Sequence, residues 1–178
     1  MASPDTVRQV LGRLTADGTI RRVGRGVYEY PERSSFLKTA AAPDPDAVAR
    51  AVARSHGWTI VPTGEAALNR LGLSTQVPAR WQYLSDGPTK TYSWSGGTIV
   101  FKHRTNKETT KLSSKTAMIV QALKALGKEH IDEGVIAGLQ RALTVKEIDR
   151  AAREARFATS WVYEVIKHLA ARGGASNA

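Results

Sequence analysis

Ser3-Pro4-Asp5-Thr6-Val7-Arg8-Gln9-Val10-Leu11-Gly12-Arg13-Leu14-Thr15-Ala16-Asp17-Gly18 runs directly into Thr19-Ile20-Arg21-Arg22-Val23-Gly24-Arg25-Gly26-Val27-Tyr28-Glu29-Tyr30-Pro31. The first half reads as a helix over Pro4 to Ala16. Ser3 is a suitable N-cap, Pro4 fits the first helical position, and Asp5 complements the positive end of the helix dipole. Val7, Val10, Leu11 and Leu14 follow the spacing of one buried stripe, and Gly18 suits the left-handed conformation that ends a helix. The second half holds two short β-prone runs around the glycine-bracketed Gly24-Arg25-Gly26, so it reads as a hairpin closed by Pro31, which cannot donate to a ladder.

Working outward, the stretch from Pro31 to Pro45 reads as a linker, with Ser34-Ser35, three consecutive alanines and Pro43-Asp44-Pro45. A second unit starts near Asp46, with a helix over 46–55, a short strand at 59–61 and a helix capped by Thr63 and ended by Gly72. Three strands are expected over 80–84, 90–94 and 98–103. Asp86-Gly87 and Gly96-Gly97 read as turns, which predicts an antiparallel meander. Helices are expected over 114–126, 132–143, 145–156 and 160–171, the third opening on Thr144 and Glu147 in a capping-box pattern.

The 178 residues carry 26 Lys and Arg against 16 Asp and Glu, a net charge of +10, with no cysteine. The excess favours an acidic partner such as nucleic acid. Disulfides and thiolate metal sites are excluded. No stretch approaches the roughly 18 uninterrupted apolar residues of a membrane helix, and Met1 to Asp5 lack the pattern of a signal peptide. A cytoplasmic protein is the expectation.

The helix–hairpin carries the strongest functional signal, because a recognition helix followed by a basic β-wing has this form. With the apolar stripe inward, Asp5, Gln9, Gly12 and Arg13 point outward, with Arg8 at the flank. Gln9 suits bidentate pairing with adenine, and Arg8 or Arg13 with guanine. Arg21, Arg22 and Arg25 suit phosphates, and Gly24 and Gly26 let the wing backbone approach closely. An ordinary helix–hairpin with surface arginines looks the same.

A second cluster, Lys90, Lys102, Arg104, Lys107, Lys111 and Lys115, faces one acid, Glu108. It suits nucleic acid, an acidic protein face, or simply a solvated loop. Trp81, Tyr83, Tyr92, Trp94 and Phe101 lie on expected strands, and alternation places Trp81 with Tyr83, and Tyr92 with Trp94, on common faces. Core packing is their ordinary role, and base stacking the sharper alternative.

Signals for catalysis are weak. His56, His103, His130 and His168 lack helical zinc spacing. Asp44 and Asp46 alternate with prolines as in a turn. Gly24-Arg25-Gly26 is too short for a phosphate loop, and Ser113 or Ser114 would need a distant base to act as a nucleophile. No enzyme, metal or cofactor is expected.

Several stretches resemble the AbiEi-type antitoxins of abortive-infection (type IV) toxin–antitoxin systems. They are Ile20 to Tyr28, Pro43 to Ala49, Pro62-Thr63-Gly64-Glu65-Ala66-Ala67, the specific run Leu71-Gly72-Leu73-Ser74-Thr75-Gln76-Val77-Pro78-Ala79, and Tyr83 to Gly87. The resemblance covers most of residues 4–143. It implies an N-terminal winged helix that represses the operon and a C-terminal domain that counteracts a co-encoded nucleotidyltransferase-like toxin. It puts Arg8, Arg13, Arg21, Arg22 and Arg25 in recognition helix and wing. Members of that family carry one or two helices ahead of the recognition helix, so a further amphipathic helix encoded upstream is expected.

The sequence therefore predicts an α+β protein. Residues 1–31 would be a partial winged helix-turn-helix, 32–44 a linker, and 45–178 a mixed antitoxin domain with a small antiparallel sheet and several helices. The expected partners are operator DNA and the toxin. A plain winged-helix transcriptional regulator and an RNA-interacting accessory protein are the alternatives.

Overall fold

The computed structural model describes residues 3–31, 41–104 and 112–175. The fold is α+β. Helix α1 (Pro4–Ala16) leads into a hairpin of β1 (Arg21–Gly24) and β2 (Val27–Glu29), followed by α2 (Pro45–His56), β3 (Ile60–Thr63) and α3 (Glu65–Arg70). Strands β4 (Trp81–Ser85), β5 (Lys90–Trp94) and β6 (Gly97–His103) complete a four-stranded sheet, and α4 (Ser114–Leu126), α5 (Glu133–Ala142), α6 (Val145–Glu154) and α7 (Ser160–Ala175) follow. Part of the expected linker, 32–40, lies outside the described residues; Asp44, at its end, is the N-cap of α2.

The expected antiparallel meander does not form. The sheet order is β3-β4-β6-β5, with β6 parallel to β4 and antiparallel to β5. The reason lies at Asp86-Gly87, which is not a hairpin turn. The Asp86 amide donates to the Thr59 carbonyl at 3.3 Å, and its carboxylate accepts the Thr59 amide at 2.8 Å. These bonds extend the β3–β4 pairing, and Pro88, which has no N–H to pair, takes the chain away from β4. The chain then returns as β5, reverses at Gly96-Gly97, and inserts β6 beside β4.

Register assigns the faces. Ile60, Trp81, Tyr83, Ile99 and Phe101 alternate onto one face and are buried with Val48, Ala49 and Val52 of α2. On the other face α4 packs over β3, where the Thr63 hydroxyl donates to Gln121 Oε1 at 3.2 Å. Thr63 is thus the last residue of a strand rather than the expected helix cap. The cap position of α3 falls to Gly64, whose φ of 58° turns the chain abruptly from strand to helix.

The remaining helices enclose a second core around Leu71, Ile119, Leu123, Leu139, Ile166 and Leu169. Their starts are chemically specified. Ser113, Asp132 and Thr144 each accept a backbone amide of the first turn, and both halves of the Thr144/Glu147 capping box are present.

Candidate nucleic-acid interface

Helix α1 begins where Ser3 Oγ accepts the Thr6 amide at 3.2 Å. It buries none of its residues. Leu11 and Leu14 are half-buried, whereas Val7 and Val10 remain 46% and 44% exposed, so only the second half of the expected stripe is covered. Ile20, whose amide donates to the Leu14 carbonyl at 3.0 Å, is the buried residue that follows the helix. On the polar side Arg8, Gln9 and Arg13 are exposed, and Arg8 forms a 2.9 Å ion pair with Asp5 one turn earlier.

The hairpin is seated on the second unit. Val27 is buried and Val23 partly so, against Val48 and Val52 of α2 and Tyr92 and Trp94 of β5. This holds the tip, Gly24-Arg25-Gly26, in a defined place. The three hairpin arginines are not equivalent. Arg21 is engaged by the Glu29 carboxylate opposite it and by the Ala41 carbonyl, which its guanidinium reaches at 2.6 Å. Arg22 and Arg25 are exposed, and among the described residues neither has an ion-pair partner.

The second basic cluster is split. Lys90, Lys102 and Arg104 are exposed at one end of the sheet. Lys115 lies instead in the first turn of α4 and pairs with Glu147 at 3.4 Å. Lys107 and Lys111 lie outside the described residues. Of the aromatics, Trp81, Tyr83 and Phe101 are core residues, and Tyr92 and Trp94 are half-buried beneath α2 and the hairpin.

Groups read in the sequence as weak catalytic candidates have structural partners. Asp44 caps α2 by accepting the Asp46 amide at 3.1 Å. Asp46, 2% exposed, receives Arg50 at 2.7 Å, Arg70 at 3.0 Å and the Tyr83 hydroxyl at 3.2 Å. Burial raises the Tyr83 phenol far above its ordinary range, and the Asp46 charge adds to the shift. This buried network was not foreseen. Its one sequence signal is the Asp46–Arg50 spacing of four on a helix, a common surface pairing.

Ser113 Oγ donates to Glu154 Oε2 at 2.8 Å, and the Ser113 amide does so too. Burial works against ionisation of Glu154, but hydrogen bonds from Arg150, Thr116 and Ser113 outweigh it and bring the carboxyl down to about 2. So acidic a group is a poor base, and the pair fixes the start of α4 against the end of α6. The histidines are apart: His56 Nδ1 lies 2.9 Å from the Val52 carbonyl, and His103 Nδ1 2.9 Å from that of Gly87. Among the described residues no three His, Asp or Glu side chains converge as metal ligands, and no helix is long and apolar enough to cross a membrane.

The family model described as "Family of unknown function (DUF6088)" matches residues 1–151. No curated protein and no solved structure matches the chain.

Proposed function

The chain belongs to the DUF6088 family, and we propose that it is a DNA-binding antitoxin that represses its own operon. One observation carries the DNA-binding half: a solvent-facing helix surface of Arg8, Gln9 and Arg13 adjoins a hairpin that exposes Arg22 and Arg25 and is anchored by Val23 and Val27. In this reading α1 enters the major groove, where Gln9 and Arg13 read base edges, and Arg22 and Arg25 contact phosphate. Arg21, spent on Glu29, orders the hairpin instead of touching DNA. The net charge of +10 supplies the long-range attraction.

The antitoxin half rests on the resemblance of residues 71–79 and its flanks to AbiEi-type proteins. A plain regulator is the second reading, favoured by a groove of about 810 Å³ between α5 and α7. Ile131, Ile136, Trp161 and Val165 line it beside Asp132 and Glu164, a setting for a small ligand with an apolar body. Co-expression with the neighbouring gene separates the two. Rescue of growth from a nucleotidyltransferase-like toxin supports the antitoxin, and a neighbour that is harmless alone leaves the regulator. Gel shifts with the upstream DNA test the first half: Gln9→Ala with Arg13→Ala abolishes preference for the operator over random duplex, and an unchanged preference refutes the recognition role of α1.

A further inference from the structure

The sheet register brings the ends of four strands to one corner. Lys90 of β5 pairs with Phe101 of β6, Ser85 of β4 with His103, and Ile60 of β3 with Ser85. Helix α2 ends at the same place, where the Tyr92 hydroxyl approaches His56 Nε2 at 3.4 Å. Trp58 lies so close over Gly87 that a Cβ there would stand 2.3 Å from the indole. Residues 84–91 and 100–104 thereby place Lys90, Lys102 and Arg104 at one end of the sheet, all exposed. Their one acid, Asp86, is occupied with the Thr59 amide. None of these three cations has an ion-pair partner among the described residues. Lys90 and Lys102 alternate onto opposite faces of the sheet, so the charge wraps a corner and does not cover a face.

From this corner β5 runs along the sheet edge toward the hairpin. Lys90 to Trp94 spans roughly 13 Å at strand rise, and Arg25 at the hairpin tip lines the same crevice as Ser93 and Trp94. We infer that the corner and the hairpin tip form one phosphate track for the backbone of duplex nucleic acid, with edge strand β5 between them. The wing half of this track rests on the DNA-binding reading above; the corner half stands on its own charge and placement.

Three features select this ligand. Like charges gathered with no ion-pair partner among the described residues repel one another, and a polyanion relieves that repulsion. A protein interface needs a buried apolar anchor, yet among the described residues the large exposed apolar side chains, Val7, Val10, Tyr30, Val77, Val145 and Phe157, all lie outside the corner. Single-stranded bases need open aromatic faces. Here His56 stacks on Trp58 at 4.4 Å, Trp58 covers Gly87, and Tyr92 has Lys90 over its ring at 5.1 Å.

The test is the salt dependence of binding to a random-sequence duplex, read by fluorescence anisotropy between about 50 and 200 mM salt. The full chain is compared with K90A/K102A/R104A, with R22A/R25A and with the charge-keeping K90R/K102R/R104K. Each lost phosphate contact makes the slope of log K against log salt shallower by about 0.9. The corner variant is therefore expected to lose between two and three units of slope, roughly, and the wing variant close to two, while K90R/K102R/R104K keeps the wild-type slope. Loss in the wing variant alone overturns the inference and leaves the DNA-binding reading standing. Loss in the corner variant alone supports the corner and refutes the wing. A slope unchanged in both, or no binding by the wild-type chain at low salt, overturns both. Stronger binding to single strands than to duplex, lost in the corner variant, also overturns the assignment to duplex backbone.

Discussion

Helices α1 and α4 are each 13 residues long and each begins at a serine N-cap, yet α4 buries eight residues and α1 none. Thr116 to Leu123 of α4 form an unbroken buried run between the sheet and α6 and α7. The chain supplied α1 with the same local signals for helix formation, but tertiary packing reaches only its last turns. Local propensity sets where a helix starts, and burial decides how firmly it is held. A fully packed helix serves the core. One tethered through Ile20 and a hairpin leaves its polar surface free, which the proposed recognition role requires.

The largest expected effect lies in α4. Leu123 is fully buried in the helical core, and Leu123→Ala is expected to cost about 2–5 kcal/mol, the range for large-to-small changes at packed sites. Chemical denaturation measures it, and a loss below about 1 kcal/mol would mean that α4 is far less tightly enclosed than its burial implies.

A smaller effect, of a different kind, comes from the anchor at the start of α4. Glu154 ionises at about 2 in the folded protein against an ordinary 4.5, and its side chain is 20% exposed. A depressed folded-state value means that the ionised carboxylate stabilises the fold above about pH 4.5. That contribution is lost as pH falls toward 2. Glu154→Gln is expected to cost about 1–3 kcal/mol at neutral pH and to flatten the fall in stability on acidification. Parallel stability–pH curves for variant and wild type would remove Glu154 from this role. Among the described residues the Ser3 cap of α1 has no such carboxylate anchor, so it is not expected to impose this acid dependence.

The same contrast explains what could be read from the sequence. The extents of α1 and α4 were legible because Ser3-Pro4, Gly18 and the start at Ser114 are local chemistry. So was the Thr144/Glu147 capping box. Strand order was not legible, because alternation assigns a residue to a face and never to a neighbour. Asp86-Gly87 has turn composition, and only the distant Thr59 makes it an extension of the β3–β4 pairing. The candidate site divides in the same way. Arg8, Gln9, Arg13, Arg22 and Arg25 follow from helix and hairpin periodicity, whereas the pairing of Arg21 with Glu29 needed the strand register. Lys90, Lys102 and Arg104 stood out as a basic run, but only the strand register brings them to one end of the sheet.

The smallest expected effect is the sharpest test of the comparison. Full burial of a valine side chain is worth roughly 1.5–3 kcal/mol. Val7 and Val10 already keep 46% and 44% of their surface in water. Val7→Ala with Val10→Ala is therefore expected to cost less than about 1 kcal/mol in total, because alanine's better helix propensity offsets part of the lost contact. Thermal unfolding at two protein concentrations checks it. A loss of about 3 kcal/mol or more would show that this stripe is covered in solution by atoms that the single chain does not supply. If that loss also grew with protein concentration, the cover would be a second copy. α1 would then be a buried helix like α4 whose partner stands on another molecule, and the difference between the two helices would lie in who packs them.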